Sequence, residues 1–285
     1  MRFNLVQIVA EERINHGLLG YREVIESVRW GLEALGHHVA VATNAVAKDS
    51  VNILFGFQMV GDGQMAAMPG DAIVYNLEQM ANLPPEESKP QFSLAARRLR
   101  IWDYNAENLR TWEQFRPVHR PIHVPIGYAP TLTRIPQRRE LPIDVLFYGI
   151  PTGPRLQTFY EICAKGMHAV FACGLYGQDR DDLIARAKVV LNLNMYEKSR
   201  VFEIVRVSYL LANGKAVVSD WYPETLIEPD MKEAAAFAPL GQIAETCERL
   251  VSDESARHAL ERKGREIFEK RDIRAILSQA LGASG

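Results

Sequence analysis

The chain has 285 residues, 47% of them hydrophobic and 24% charged, and a formal net charge of −2. That length holds two domains of ordinary size or one large one, and the near-neutral balance excludes a protein that grips nucleic acid through bulk charge. Cys163, Cys173 and Cys247 stand far apart with no CxxC, which argues against a disulfide framework or a zinc site and for free thiols.

The N-terminus, MRFNLVQIVAEE, lacks the apolar core and small-residue cleavage site of a signal peptide. No window approaches the ~20 apolar residues of a membrane span. A soluble, cytoplasmic protein is expected. Short apolar runs then alternate with amphipathic segments. FNLVQIVA (3–10) predicts a buried strand. YREVIESVRWGLEALG (21–36) predicts a helix, because Val24, Val28, Leu32 and Leu35 share a face and Gly36 is a natural stop. HVAVAT (38–43), VNILFGF (51–57) and AIVYNLE (72–78) read as strands. FSLAARRLR (92–100) reads as a helix, IWDYN (101–105) as a strand, AENLRTWEQF (106–115) as a helix, and IHVPIGY (122–128) closes the series.

Residues 129–142, APTLTRIPQRRELP, hold three prolines and little periodicity, the pattern of a linker. The alternation restarts with strand IDVLFYGI (143–150), helix PRLQTFYEICAKG (154–166), strand HAVFACG (168–174), helix DRDDLIARA (179–187) and strand KVVLNLN (188–194). A helix through VFEIVRVSYLLANG and a strand KAVVSD follow, then helices to the end. Strand–helix alternation predicts parallel sheets with helices on both faces. Two runs with a linker predict an α/β protein of two Rossmann-like domains, 1–130 and 141–285. Ligands of such sheets bind beyond the carboxyl ends of the strands, so the sites are sought there.

Four places stand out. In EERINHGLLGY (11–21), Gly17 and Gly20 permit close backbone approach, and His16 suits a base or a sugar-hydroxyl ligand, or is a surface histidine on a loop. In YNLEQM, Glu78 and Gln79 reach a strand end where polar groups hold an acceptor's hydroxyls; the plain alternative is an exposed loop. In YGIPTGPRL (148–156), Gly149 and Gly153 precede a helix start with Arg155 beside it, either an anion site or an ordinary connection. There is no GxGxxG after a strand and no GxxxxGK[ST], so a dinucleotide cofactor and a P-loop are disfavoured. Finally MYEKSR leads into the apolar helix with Ser199 as N-cap, and Arg200, Glu203 and Arg206 follow at i, i+3, i+6 along one face. An i,i+3 ion pair explains Glu203 and Arg206 plainly. Donors for phosphate oxygens, with a carboxylate for sugar hydroxyls, explain them together with Lys198 and Arg200.

The order strand, basic loop, helix with FE, then LANGKAVVSD (211–220) resembles the donor-binding segment of GT-B-fold glycosyltransferases, in a divergent branch similar to bacterial members. DVLFYG (144–149) resembles the first strand of that domain, and YGQDRDDLIARAKVVLNLN (176–194) its middle. The likeness covers most of residues 141–220; in the first half it is looser, mainly in LGHHVAVAT. It implies two domains facing each other across a cleft, with the last helix crossing back to the first. It also implies transfer of a sugar from a nucleotide-sugar to an acceptor: glycan, protein, small molecule or nucleic-acid base. No cofactor and no metal are implied, the donor being a substrate. Implied donor-side residues are Gly149, Arg155, Tyr176, Asn194, Lys198, Arg200, Glu203 and Arg206. His16, Gly17, Glu78 and Gln79 fall on the acceptor side, with His16 or Glu78 as base for inversion and Glu203 toward ribose or donor sugar. The Glu-x7-Glu of retaining members is not kept: counted back from Gly214, its positions are Val201 and Tyr209. A nucleotide-sugar-binding protein without chemistry, or an epimerase, are the alternatives on the same fold.

Overall fold

The computed structural model describes residues 1–9, 20–80, 90–195 and 201–283. The chain divides into two compact units, Met1–Ala129 with Arg271–Gly285, and Pro130–Lys270. Each is built on one parallel sheet, so the α/β architecture with two Rossmann-like halves is present.

In the first unit, β1 (Arg2–Gln7), β2 (His38–Thr43), β3 (Val51–Phe55), β4 (Ile73–Asn76), β5 (Arg100–Asp103) and β6 (Ile122–His123) lie in the order β2-β1-β3-β4-β5-β6. Leu5 pairs with Val41 on one side and Ile53 on the other. Helix α1 (Arg22–Ala34) buries Val24, Val28 and Leu32, the face its spacing predicts. Between β4 and β6 lie α3 (Pro90–Ala96) and α4 (Ala106–Glu113), after the one-turn α2 (Asp62–Ala66). Phe57, Phe92 and Trp112 pack among them in one buried aromatic cluster. The expected strand 122–128 shortens to two residues, because Pro125 cannot donate to a ladder.

In the second unit, β7 (Ile143–Tyr148), β8 (Ala169–Ala172), β9 (Ala187–Asn192), β10 (Ala216–Asp220) and β11 (Ala236–Ala238) take the order β11-β10-β9-β7-β8. Helices α5 (Gly153–Ala164), α6 (Gly177–Ala185), α7 (Ile204–Ala212), α8 (Ile243–Ser252) and α9 (Glu254–Glu269) accompany them. The last helix, α10 (Ile273–Ala283), packs in the first unit: a Cβ on Gly31 of α1 would stand 2.7 Å from Leu277 Cδ1.

Two local readings change. Residues 130–137 do not hang free as a linker but are sewn to the end of α7. The Asn213 side chain accepts from the Arg134 and Ile135 N–H groups, both at 2.8 Å, and donates to the Leu132 and Tyr209 carbonyls. The helix expected from Ser199 begins instead at Ile204, with Glu203 at its N-cap position. Val201 is buried in a bridge with Leu226, and Phe202 N–H donates to the Leu226 carbonyl at 3.3 Å, so 201–203 are extended. The β-branched Val201 gains a strand-like partner there that a helix would deny it. Glu203 therefore stands ahead of the helix that carries Arg206, and Arg200 lies outside the described residues. Among the described residues, no helix is long and apolar enough to cross a membrane.

Candidate functional site

The order of the second sheet reverses between β7 and β9, the place where a parallel sheet opens a crevice at its carboxyl edge. The loops leaving these strands are joined by Arg155, which comes from the first turn of α5 and is 4% exposed. Its guanidinium donates to the Leu193 carbonyl at 2.6 Å, the Asn194 carbonyl at 3.2 Å and the Ile150 carbonyl at 2.9 Å. Asp220, which ends β10 and is equally buried, accepts from the Asn194 N–H at 3.1 Å. Burial pushes its carboxyl up to about 6, against the pull of the Asn194 N–H and of Arg155.

Above this frame sits Arg206, half-buried in the first turn of α7. Its guanidinium lies over the Tyr148 ring, 5.7 Å from the centroid, and reaches the Asn192 side-chain oxygen at 3.4 Å. Gly149 lies between the two arginines: a Cβ there would stand 3.6 Å from Arg206 Nη2 and 3.7 Å from Arg155 Nη1, at a φ of +152°. A glycine keeps this spot open. Of the donor-side residues read from the sequence, the structure thus brings together Gly149, Arg155, Asn194 and Arg206, with Glu203 one turn from Arg206. Arg155 spends its donors on backbone carbonyls, so it holds the site rather than facing it. Tyr176 stands at the N-cap of α6, beyond β8, 38% exposed. Lys198 and Arg200 lie outside the described residues.

The first sheet reverses between β1 and β3. There Glu78, just past β4, accepts on one oxygen from the Tyr21 hydroxyl at 2.5 Å and the Gln58 amide at 2.8 Å. Gln58 also donates to the Tyr21 oxygen at 3.0 Å. Gly56, at a φ of +80°, lets the chain turn from β3 toward Gln58; a Cβ would meet the Ile8 carbonyl at 2.7 Å. The Glu78 carboxylate is half-buried, with its other oxygen outside this pair of bonds. Gln79 is half-buried beside it. His16 and Gly17 lie outside the described residues.

Beneath Glu78 is a buried acid that sequence reading did not single out. Asp103, at the end of β5, is fully buried. It accepts from the Asn105 N–H, the Asn108 and Asn76 amides and the Trp112 indole at 2.7–2.9 Å. Burial pushes it up to about 7 despite these donors. Asp220, Asn192, Tyr21 and Gln58 were missed as well. One signal was available: β4, β5, β9 and β10 each end on Asn or Asp after an apolar run (Asn76, Asp103, Asn192, Asp220). Among the described residues, no group of three or more His, Cys, Asp and Glu side chains is placed to hold a metal.

No family model matches the chain. Two Acanthamoeba polyphaga mimivirus proteins, L140 and R358, are each 24% identical over 161 residues, 54% and 55% of this chain. The chain spans about half the length of these curated relatives, 52% and 54%. Among solved structures, Anabaena HepE in complex with UDP and glucose superposes with a TM-score of 0.65 at 11% identity, covering 98% of both chains. WaaG, a glycosyltransferase of lipopolysaccharide biosynthesis, gives 0.60 at 11%, also over 98% of both. A sucrose-phosphate synthase of Thermosynechococcus elongatus gives 0.64 at 11%, over 99% of this chain and 100% of that one. The fold is the GT-B fold of glycosyltransferases, and the chain is a divergent example of it.

Proposed function

We propose that the protein is a glycosyltransferase that moves a sugar from a nucleotide-sugar to an acceptor hydroxyl or amine, without a metal. The observation that carries this is the Arg206 guanidinium. It is half-buried at the switch point of the second sheet, over Tyr148 and beside Gly149, with most of its N–H donors uncommitted among the described residues. A diphosphate laid along Gly149 would meet this fork and the N-terminus of α7, which together offset its charge. Glu203, at that N-terminus, would accept from hydroxyls of the ribose or the donor sugar. Trp221, 37% exposed just past β10, offers an apolar face to the same edge.

In the transfer the bond from the anomeric carbon to the phosphate oxygen breaks, and its electron pair leaves with the nucleoside diphosphate. The acceptor atom forms the new bond to that carbon. Its proton passes to a base, Glu78 in an inverting reaction, or to the departing phosphate if configuration is retained. Solved neighbours hold UDP and UDP-glucose, which makes a uridine diphosphate donor the first to be tested. The test is a thermal-shift series with UDP, GDP, CMP, dTDP and ADP on the wild type and Arg206→Ala. One nucleotide should raise the melting temperature of the wild type alone; a shift of equal size in both proteins removes Arg206 from the site.

A second reading is nucleotide-sugar binding without transfer. It is favoured by Tyr209, which stands at the position of the second glutamate of the retaining motif yet is 2% exposed, donating to Asp181 at 2.7 Å and accepting from Arg134 at 2.9 Å. Slow hydrolysis of the bound donor decides between the two, since only a transferase should show it.

A further inference from the structure

We propose that Asp103 is a positioning residue for Glu78, acting through Asn76 and Asn108. This rests on the reading of Glu78 as the base or hydroxyl ligand. The geometry is a two-step relay. Asp103 Oδ2 accepts from Asn76 Nδ2 at 2.7 Å, and Oδ1 accepts from Asn108 Nδ2 at 2.9 Å. Each asparagine then turns its remaining groups on the loop after β4. Asn76 Oδ1 accepts from the Glu78 N–H at 3.2 Å, and Asn108 Oδ1 accepts from the Met80 N–H at 3.0 Å. Both Nδ2 groups also donate to the Glu78 carbonyl, at 3.1 Å from Asn76 and 2.8 Å from Asn108. The Glu78 peptide is therefore gripped on both sides. Its side chain is in turn held on one oxygen by Tyr21 and Gln58.

The chemistry of Asp103 sets the direction of every bond in the relay. A side-chain amide presents NH2 on one side and oxygen on the other. A carboxylate has only acceptors, so it forces both asparagines to aim NH2 inward and oxygen at the loop. Asp103 meets four donors on two oxygens, and two of them cannot turn around: the Asn105 backbone N–H on Oδ1 and the Trp112 indole on Oδ2. Replacing Asp103 by its isostere asparagine puts an NH2 against one of these fixed donors whichever way it faces. The flexible asparagine on that side must flip, turning NH2 toward the loop N–H it had accepted. Shape is preserved and polarity is reversed, so the loop under Glu78 should loosen while the fold survives.

The experiment compares the full chain with Asp103→Asn, Glu78→Gln and the double variant at about pH 8.5, above the value to which burial pushes Asp103. Circular dichroism first establishes that each is folded. Amide hydrogen exchange then reads Glu78 and Met80 directly. Asp103→Asn should lose about tenfold or more of the protection there, while β1 and β3 amides keep theirs. Hydrolysis of UDP-glucose supplies the second readout. Asp103→Asn should lower kcat by about tenfold with KM little changed, and the double variant should be no slower than Glu78→Gln alone. Unchanged exchange at both amides in folded Asp103→Asn overturns the proposal, as does a double variant slower by the product of the single effects. If Glu78→Gln is as active as wild type, or no hydrolysis occurs in any variant, the role given to Glu78 fails instead, and the exchange result still decides whether Asp103 holds the loop. Should Asp103→Asn not fold, Asn108→Asp, which turns an acceptor toward an acceptor at Asp103, provides the same readout.

Discussion

Arg155 and Asp220 hold opposite ends of one residue. The guanidinium donates to the Asn194 carbonyl at 3.2 Å, and the carboxylate accepts from the Asn194 N–H at 3.1 Å. Two buried side chains of opposite charge thus fix the loop after β9, one through the Asn194 carbonyl and the other through its N–H. Removing Arg155 would leave the Leu193, Asn194 and Ile150 carbonyls without this donor and Asp220 without its nearby cation. Arg155→Ala is expected to cost about 3 kcal/mol, in the range for breaking a buried, hydrogen-bonded charge arrangement. Urea unfolding checks this. A loss under about 1 kcal/mol would return Arg155 to the role of an exposed phosphate ligand.

Asp220 gives the second unit a pH dependence opposite to that of a salt-bridged acid. Its folded value of about 6 lies above the ordinary 3.8, so the folded state binds this proton more tightly than the unfolded chain. The resulting stabilisation is complete below pH 3.8 and is lost as pH rises through about 6. A shift of that size corresponds to roughly 3 kcal/mol. Asp103, pushed up to about 7, acts in the same sense in the first unit. Asp220→Asn should therefore lessen the fall in stability between pH 4 and 6 and leave the fall that Asp103 contributes up to about pH 7. Urea midpoints across this range measure it; an unaltered slope would place the Asp220 carboxyl at an ordinary value.

Much of this was legible in the residues. Periodicity marked the strands because a parallel strand buried on both faces must be apolar throughout, and the loop glycine at 149 and the arginine at 206 stood out against such runs. The helix beginning at 204 was not legible, because whether Val201 joins a helix or a bridge depends on Leu226, twenty-five residues on. Nor was the role of Arg155. A basic side chain at a helix start suits an anion or a set of carbonyls equally, and only the neighbouring loop decides. The asparagines and aspartates ending β4, β5, β9 and β10 were visible, but their partners come from separate elements and are brought together only by the sheets.

The boundary at residue 130 leads to a third prediction. Asn213 caps α7, donating to the Tyr209 carbonyl, while holding the Leu132–Ile135 segment with three hydrogen bonds, two accepted and one donated, and it is 1% exposed. Asn213→Ala would leave two buried N–H groups and two carbonyls short of partners. A loss of about 2–3 kcal/mol is expected, read by urea unfolding, together with new proteolytic cleavage near 130–137. Asn213→Asp keeps the acceptor and should lose less. Resistance of Asn213→Ala to both assays would mean that the segment is held by its apolar contacts, Leu132 and Ile135, instead.

Glu203 and Arg206 can be separated by the choice of ligand. Under the proposed function Arg206 meets phosphate oxygens, so Arg206→Ala should weaken UDP and UDP-glucose alike, by about tenfold or more, as expected for a charge-assisted contact of roughly 1.5–3 kcal/mol. Arg206→Lys retains the charge but loses the planar fork, and an intermediate loss is expected. Glu203 has two possible targets, and they differ in what the free nucleotide feels. A carboxylate bonded to the ribose makes Glu203→Gln weaken both ligands. One bonded to the transferred sugar leaves UDP binding unchanged and weakens only UDP-glucose. Calorimetric titration of both ligands into both variants distinguishes these cases, and full-strength binding of both to Glu203→Gln would remove the carboxylate from the ligand site.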